Sequence, residues 1–267
     1  MTDDISDQEK EMGQGYEALF VPSLFGPWTD PVLDRAGVST GDSVLDIGCG
    51  TGVLARAVLK RVGADARVAG LDPTPGMLAT ARRKEPAIDW HQGSAEALPF
   101  EDQSFDHVVS QFALMFVPDR AQAVTEMARV LKPGGKATLA VWGALEDNPA
   151  YLAVAALLDD TVSAAAGDAV RVPFCLGNPD EVRAIIEDVA LNDVTLETLS
   201  SQARFPSTRI IVEAEIRGWL PLFDIHLPEG KIADVLAEAD TRLAHLEDRN
   251  GSAAFQTTAH IVTASKA

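Results

Sequence analysis

From Ser43 to about Trp142, apolar runs of strand length alternate with stretches whose apolar residues recur at helical spacing. "SVLDI" reads as a strand, and Gly52 to Val62 as a helix. "RVAGL" is the second strand. The segment "PTPGMLATARRK" opens the next helix, with Thr74 as N-cap and Pro75 in the first turn. "IDWHQG" is a short third strand and "FDHVVSQF" a fourth, rich in β-formers. Asp119 caps a helix predicted to run to about Leu131, where "KPGG" stops it, and "KATLAVW" is the fifth strand. This rhythm predicts a doubly wound α/β fold, mostly parallel, with helices on both faces.

After Trp142 the rhythm changes. "NPAYLAVAALLDDTVSAAAG" reads as one Ala-rich helix. "GNPDEVRAIIEDV" is another, with Asn178 as N-cap, Pro179 in the first turn and Glu181 three residues past the cap. "NDVTLETLSSQARF" is a sixth strand. Ser207 to Glu247 reads as two helices around "PLFDIHLPEG", and the alternation in "AAFQTTAHIVTAS" makes a closing seventh strand. No internal repeat or low-complexity linker interrupts the chain. One domain over 16–267 is expected, with a core at 43–142 and a helical cap from about 145–175 and 207–247. The acidic start, residues 1–15, is expected to be a solvated polar tail.

Composition narrows the function. The 267 residues are 46% apolar, enough for a sizeable core, and no run reaches the roughly 18–20 apolar residues of a membrane span. No membrane insertion is expected. Formal net charge is −18, which repels phosphate backbones, so a small-molecule substrate is expected rather than nucleic acid. Two cysteines far apart and five scattered histidines offer neither a disulfide framework nor metal-ligand spacing. A reducing cytoplasm and no metal are the expectation.

The chemistry concentrates in "VLDIGCGTGVLARA", residues 44–57, where a strand enters a helix through three glycines. Such a turn suits a nucleotide, because glycine lets a ligand approach the backbone closely. A dinucleotide fingerprint is G-x-G-x-x-G. Gly48 and Gly50 fit its first two positions, but Val53 takes the third and the last glycine is Gly52. Asp46, inside the strand, suits a cofactor with a positive group. Asp72 ends the next strand, where an acid can accept both hydroxyls of a ribose. Dinucleotide and adenosine cofactors share that ribose, and an acid is favourable near a helix N-terminus in any case.

Four segments in order and spacing, "VLDIGCGTG", "GLDPTPGML", "GSAEALPFEDQSFDHVVSQFALMF" and "LKPGGKATLAVW", resemble class I S-adenosylmethionine-dependent methyltransferases of the ubiquinone/menaquinone C-methyltransferase type. The resemblance is strong from about Ser43 to Trp142 and thin elsewhere. It implies a Rossmann-like seven-stranded sheet with an antiparallel last strand, and S-adenosylmethionine as cofactor. It further implies that Gly48, Cys49 and Gly50 wrap the methionine part, with Asp46 near its amino group. Asp72 would hold the ribose, with Pro73 and Met77 near the adenine. Ser94 and Ala95 would meet the adenine edge, although many members carry Asp where this chain has Ser94. Gln111 would meet the methionyl portion or the substrate.

Methyl transfer is an in-line displacement that needs alignment and exclusion of water; a base is optional. The candidates for a base or orienting group are His226 in "PLFDIHLPEG" and Tyr151, each also readable as a surface or packing residue. His107, inside a strand, reads as packing, and His91 as a wall residue beside the adenine-side loop. Trp28, Phe112, Phe116 and Trp142 suggest an apolar pocket for a small hydrophobic or aromatic acceptor, methylated at carbon, oxygen or nitrogen. Two other readings stand beside this one: a nicotinamide-dependent oxidoreductase, and an inactive cofactor-binding protein of the same fold.

Overall fold

The computed structural model describes residues 5–189 and 191–267. Among them seven strands form one sheet in the order β3-β2-β1-β4-β5-β7-β6. The strands are β1 Val44–Ile47, β2 Val68–Asp72, β3 Asp89–Gln92, β4 Phe105–Gln111, β5 Leu131–Trp142, β6 Asn192–Phe205 and β7 Ala253–Ser265. β1 pairs in parallel with β2 and β4, β2 with β3, and β4 with β5. β7 runs the other way. Gly134 and Gly135 pair with Lys266, whereas Gly143 pairs with Thr258, so numbers fall along β7 as they rise along β5. Thr195 meets Thr263 and Thr198 meets His260, the same reversal against β6. The mostly parallel sheet is what the alternating pattern predicts, and the antiparallel end is what the family resemblance implies. β1 is buried along its whole length, as a central parallel strand covered on both faces must be, and its residues are accordingly apolar apart from Asp46.

The chain divides into two compact units. The first comprises residues 1–141, 178–199 and 259–267. Its helices are α1 Asp7–Phe20, α2 Thr29–Ala36, α3 Val53–Val62, α4 Pro75–Lys84, α5 Arg120–Val130 and α8 Pro179–Glu187. Leu45, Ile47, Leu54, Leu71, Leu78, Phe105 and Met127 are fully buried in it. The second comprises residues 142–177 and 200–258, with α6 Pro149–Thr161, α7 Ala164–Arg171, α9 Thr208–Ala214 and α10 Glu229–Arg242. Between α9 and α10 lie a π-helical turn, Glu215–Trp219, and a 3-10 turn, Leu220–Phe223. The helical segments expected as a cap, 145–175 and 207–247, fall within this second unit. No helix among the described residues is long and apolar enough to cross a membrane.

Three elements differ from the sequence reading. The expected tail becomes a helix from Asp7 onward; residues 1–4 lie outside the described residues. Ser6 and Glu9 form a reciprocal capping box: the Ser6 hydroxyl accepts the Glu9 N–H at 3.3 Å, and the Glu9 carboxylate accepts the Ser6 N–H at 2.9 Å. α1 then packs on α4 so closely that a Cβ at Gly13 would lie 2.5 Å from the Gly76 carbonyl oxygen. The Ala-rich helix is two helices, because extended Ser163 turns its hydroxyl onto the Ala166 N–H and starts α7. Finally, "KPGG" is the start of β5, held there by the backbone bonds of Gly134 and Gly135 to Lys266.

Candidate functional site

In a sheet of this order the chain turns opposite ways after β1 and β4, and the crevice outside their carboxyl ends is where ligands bind. Two segments of the first unit meet that description. One is the glycine loop after β1; the other is Gln111–Phe112 at the end of β4.

The loop glycines have physical reasons. Gly50 has φ +54° and open space where a side chain would project. Gly52 has φ +85°, and a Cβ there would lie 2.3 Å from the Trp90 indole, which is itself fixed by its Nε1–H donating to the Glu85 carbonyl at 2.8 Å. The third glycine therefore sits at 52 because the indole of β3 packs beneath the loop, which nothing in the loop sequence reveals.

Four of the five backbone N–H groups of residues 48–52 are taken. Gly48 and Cys49 donate to the Leu71 carbonyl at 2.8 and 3.0 Å, and Gly52 to Cys49 at 2.8 Å. Gly50 donates to Asp72 Oδ2 at 2.8 Å, and Ala55 of α3 donates to Asp46 Oδ2 at 3.0 Å. With the N–H groups of Gly48, Cys49, Gly50 and Gly52 turned inward, the loop presents few donors to a phosphate. It offers carboxylates and carbonyls, which suit a ligand carrying donors and positive charge.

Both carboxylates are buried, Asp46 at 1% and Asp72 at 7% exposure. Burial pushes Asp46 up to about 8. The Ala55 N–H opposes this, Asp72 adds to it and Arg56 opposes it. Burial also raises Asp72, against the Thr74 and Gly50 N–H groups that it accepts. The Cys49 thiol is buried and held well above its ordinary range by desolvation and by Asp46 and Asp72, so it is no nucleophile.

The remaining expected cofactor residues lie on neighbouring elements of the first unit. Met77 is half-buried on α4, Ala95 is buried, and Pro73 and Ser94 are exposed. The Ser94 hydroxyl is engaged by the Glu96 carboxylate, which lowers the pKa of that acid. Gln111 Nε2 donates to the Phe25 carbonyl at 3.0 Å, whereas its buried Oε1 finds no partner among the described residues. Phe112 has φ +57°, a strained conformation for an aromatic residue, at the ligand end of β4. Its ring lies 5.8 Å from Trp28, edge-on, and 5.9 Å from Phe25. Trp28 is buried core at 1% exposure, while Phe116 is 47% exposed. His107 is tied to Asp42 at 3.1 Å, and burial lowers its pKa, the packing role expected of it. His91 stands 2.7 Å from Asp89 and edge-on to Phe100.

Trp142, Tyr151 and His226 belong to the second unit. Trp142 packs 6.3 Å from Phe174, and the Tyr151 ring sits between Phe174 at 5.5 Å and Phe255 at 6.1 Å. His226 is exposed, 3.6 Å from Asp224. It borders a hollow of about 200 Å³ that also contains the Arg217–Glu229 ion pair, a charged lining rather than an apolar one.

The sequence reading has no place for Tyr16. This half-buried side chain of α1 stacks on Phe25 at 5.3 Å, and its phenol feels the carboxylates of Asp72 and Glu17. The signal that could have found it is the capping box "SDQE", which starts the helix that carries it.

Comparison with known proteins agrees with this geometry. Residues 45–139 match the family described as methyltransferase domain. The chain is 41% identical over 115 residues to 2-phytyl-1,4-naphtoquinone methyltransferase of Thermosynechococcus vestitus, covering 42% of this chain and 51% of that one. It is 42% identical over 114 residues to demethylmenaquinone methyltransferase of Shouchella clausii, covering 41% and 48%. The chain thus spans about half the length of these curated relatives. Among solved structures, Haemonchus contortus phosphoethanolamine N-methyltransferase 2, in complex with S-adenosylhomocysteine, shares the fold with a TM-score of 0.61 at 20% identity, over 96% of this chain and 57% of that one. Sheet order, glycine loop and matched segment converge: residues 45–139 are an S-adenosylmethionine-dependent methyltransferase domain, similar to that of the menaquinone methyltransferases, on a Rossmann-like methyltransferase fold.

Proposed function

We propose that this protein transfers a methyl group to a small hydrophobic or aromatic acceptor. The observation that carries the reading is the loop in which Gly48, Cys49, Gly50 and Gly52 turn their N–H groups inward while Asp46 and Asp72 place carboxyl oxygens beside it. A pyrophosphate would need those N–H groups free; an ammonium, a ribose and a sulfonium need acceptors instead. When bound, the cofactor supplies an electrophilic methyl group on positively charged sulfur. The chain's own residues hold it: Asp46 on the amino group, Asp72 on the ribose hydroxyls, Met77 and Ala95 beside the adenine, with Ser94 and Pro73 at its edge. Gln111, with an unpartnered buried oxygen, is a further acceptor at the same end of the sheet.

Catalysis then rests on alignment and exclusion of water, which can supply roughly 7–11 kcal/mol without a side-chain base. His226 and Tyr151 are accordingly not required. The aromatic rings of Phe25, Trp28 and Phe112, together with exposed Phe116, support an apolar acceptor. The relatives, a 2-phytyl-1,4-naphtoquinone methyltransferase and a demethylmenaquinone methyltransferase, support an aromatic one. Calorimetry with S-adenosylhomocysteine and with NADH tests the cofactor half; binding of NADH alone would overturn it. Labelled cofactor with phenols, quinols and amines tests the acceptor half, which transfer confined to very polar amines would overturn.

A further inference from the structure

Among its described residues the second unit buries the polar side chains of Asn148, Thr208, Glu215, Thr257 and Thr258. All but one are hydrogen-bonded. The Asn148 amide donates to the Ala144 carbonyl at 2.8 Å and Thr208 to the Glu247 carboxylate at 2.7 Å. Thr257 donates to the Ser201 carbonyl at 3.4 Å and Thr258 to the Asp147 carbonyl at 3.1 Å. The Glu215 carboxyl, 7% exposed, has no partner among the described residues. A buried acid left unpaired costs stability, so its retention calls for a ligand that pairs it.

Its place in the fold narrows that ligand. Glu215 opens the π-helical turn after α9, a backbone irregularity frequent at functional sites. It follows buried Ile211 and Val212 by about one turn and precedes buried Leu220, so it lies on the inward face of this segment. Arg217, two residues on, is instead on the hollow beside His226. The elements packed on the turn are α9, α7 and the 3-10 turn. Their charged groups are engaged with one another or with neighbours: Arg209 with Asp240, Glu213 with Arg217, and Arg171 with Asp159 and Asp168. Arg217 of the π-helical turn itself also pairs with Glu229, and the 3-10 turn, Leu220–Phe223, carries no charge. None of them moves the Glu215 carboxyl, which burial alone pushes up to about 7. A second desolvated charge, such as an ammonium, is costly in this apolar setting, whereas a neutral donor is not.

We propose that Glu215 recognises the methyl acceptor by a hydroxyl group, whose O–H donates to the carboxylate, so that the acceptor is an aromatic alcohol. The inference rests on the functional reading above. The test is equilibrium dialysis of the whole chain, with S-adenosylhomocysteine present, against 1-naphthol and 1-methylnaphthalene, which share a ring and differ by the hydroxyl. At pH 8 wild type should prefer 1-naphthol about tenfold, the size of a hydrogen bond to a charged group. Glu215→Leu should abolish the preference, and Glu215→Gln, a neutral acceptor, should keep part of it. The wild-type preference should shrink as pH falls through about 7, where the carboxyl gains its proton, while that of Glu215→Gln stays constant. Both variants lose an unpaired buried acid and should melt higher than wild type at pH 8, so a lost preference is not a lost fold. A preference that survives Glu215→Leu, or its absence from wild type, overturns the proposal. So does a larger Glu215-dependent preference for the cation of 1-naphthylmethylamine. If wild type fails to bind S-adenosylhomocysteine, the methyltransferase reading itself fails; if it binds and the naphthol preference is missing, only the role of Glu215 fails.

Discussion

At the scale of single residues, two neighbouring glycines do different work. A methyl at position 50 meets nothing within 4 Å, whereas one at 52 meets the Trp90 indole at 2.3 Å. Gly50→Ala should therefore cost only the left-handed backbone penalty, about 1 kcal/mol, while its methyl occupies the ligand's space and lowers S-adenosylhomocysteine affinity tenfold or more. Gly52→Ala adds a steric clash and should cost roughly 3 kcal/mol of stability. Urea denaturation and calorimetry on both variants would separate the two effects, and equal stability losses would refute the Trp90 account. Glu215 gives a second residue-scale prediction. It lies on the π-helical turn at 7% exposure with no side-chain partner among the described residues, and burial pushes it up to about 7 from an ordinary 4.5. Below pH 4.5 folded and unfolded forms are both protonated. Between 4.5 and 7 the unfolded chain releases the proton first, so stability falls across that window and is flat above it. The loss from this group amounts to about 3 kcal/mol in order of magnitude. Glu215→Gln should therefore raise the melting temperature at pH 8 and leave it nearly unchanged at pH 4; an equal effect at both would refute the assignment.

At the scale of elements, the contact of α1 with α4 reverses the usual rule for glycine. In an exposed helix Gly→Ala stabilises by about 1 kcal/mol. At Gly13 the added methyl would lie 2.5 Å from the Gly76 carbonyl oxygen, so Gly13→Ala should instead push α1 away. Faster hydrogen exchange over residues 7–20, with unchanged exchange in β1 and β4, is the expected result; slower exchange would mean that propensity wins. The same helix shows what the sequence hides. Strong alternation makes β6 and β7 legible to the residue, and the glycine loop with its flanking acids locates the site in β1 and β2. α1 is illegible by periodicity because Gly13, Gly15 and a run of charged residues dilute its apolar face, and only "SDQE" marks its start. Ser163 looks like an interior residue of one Ala-rich helix until its hydroxyl is seen capping the next. The contacts of Tyr16 with Phe25, Trp90 with Gly52 and Gln111 with Phe25 join distant positions, and no local pattern encodes them.

At the scale of the whole molecule, 40 acidic residues stand against 22 basic ones, a net charge of −18. Ion pairs on the surface, such as Arg217 with Glu213 and Glu229, or Arg171 with Asp168, are each worth at most about 1 kcal/mol and weaken with salt. The net repulsion is longer in range and opposes the compact state. Screening both should favour the larger effect, so the melting temperature should rise between about 0.05 and 0.5 M sodium chloride, as the Debye length falls below about 10 Å. The same field acts on ligands. S-adenosylmethionine differs from S-adenosylhomocysteine by one positive charge, and on the proposed reading Asp46 and Asp72, raised by burial, ionise when that cation binds beside them. Added salt should then weaken the cationic cofactor more than the neutral product, lowering their affinity ratio about two- to threefold while the fold becomes more stable. The opposite signs are the decisive feature, because a protein merely loosened by salt would lose stability and both ligands together. Calorimetric titration of each ligand beside thermal melts over one salt series measures all three quantities. An affinity ratio independent of salt would show that the acids near the loop are neutral or turned away from the bound sulfonium.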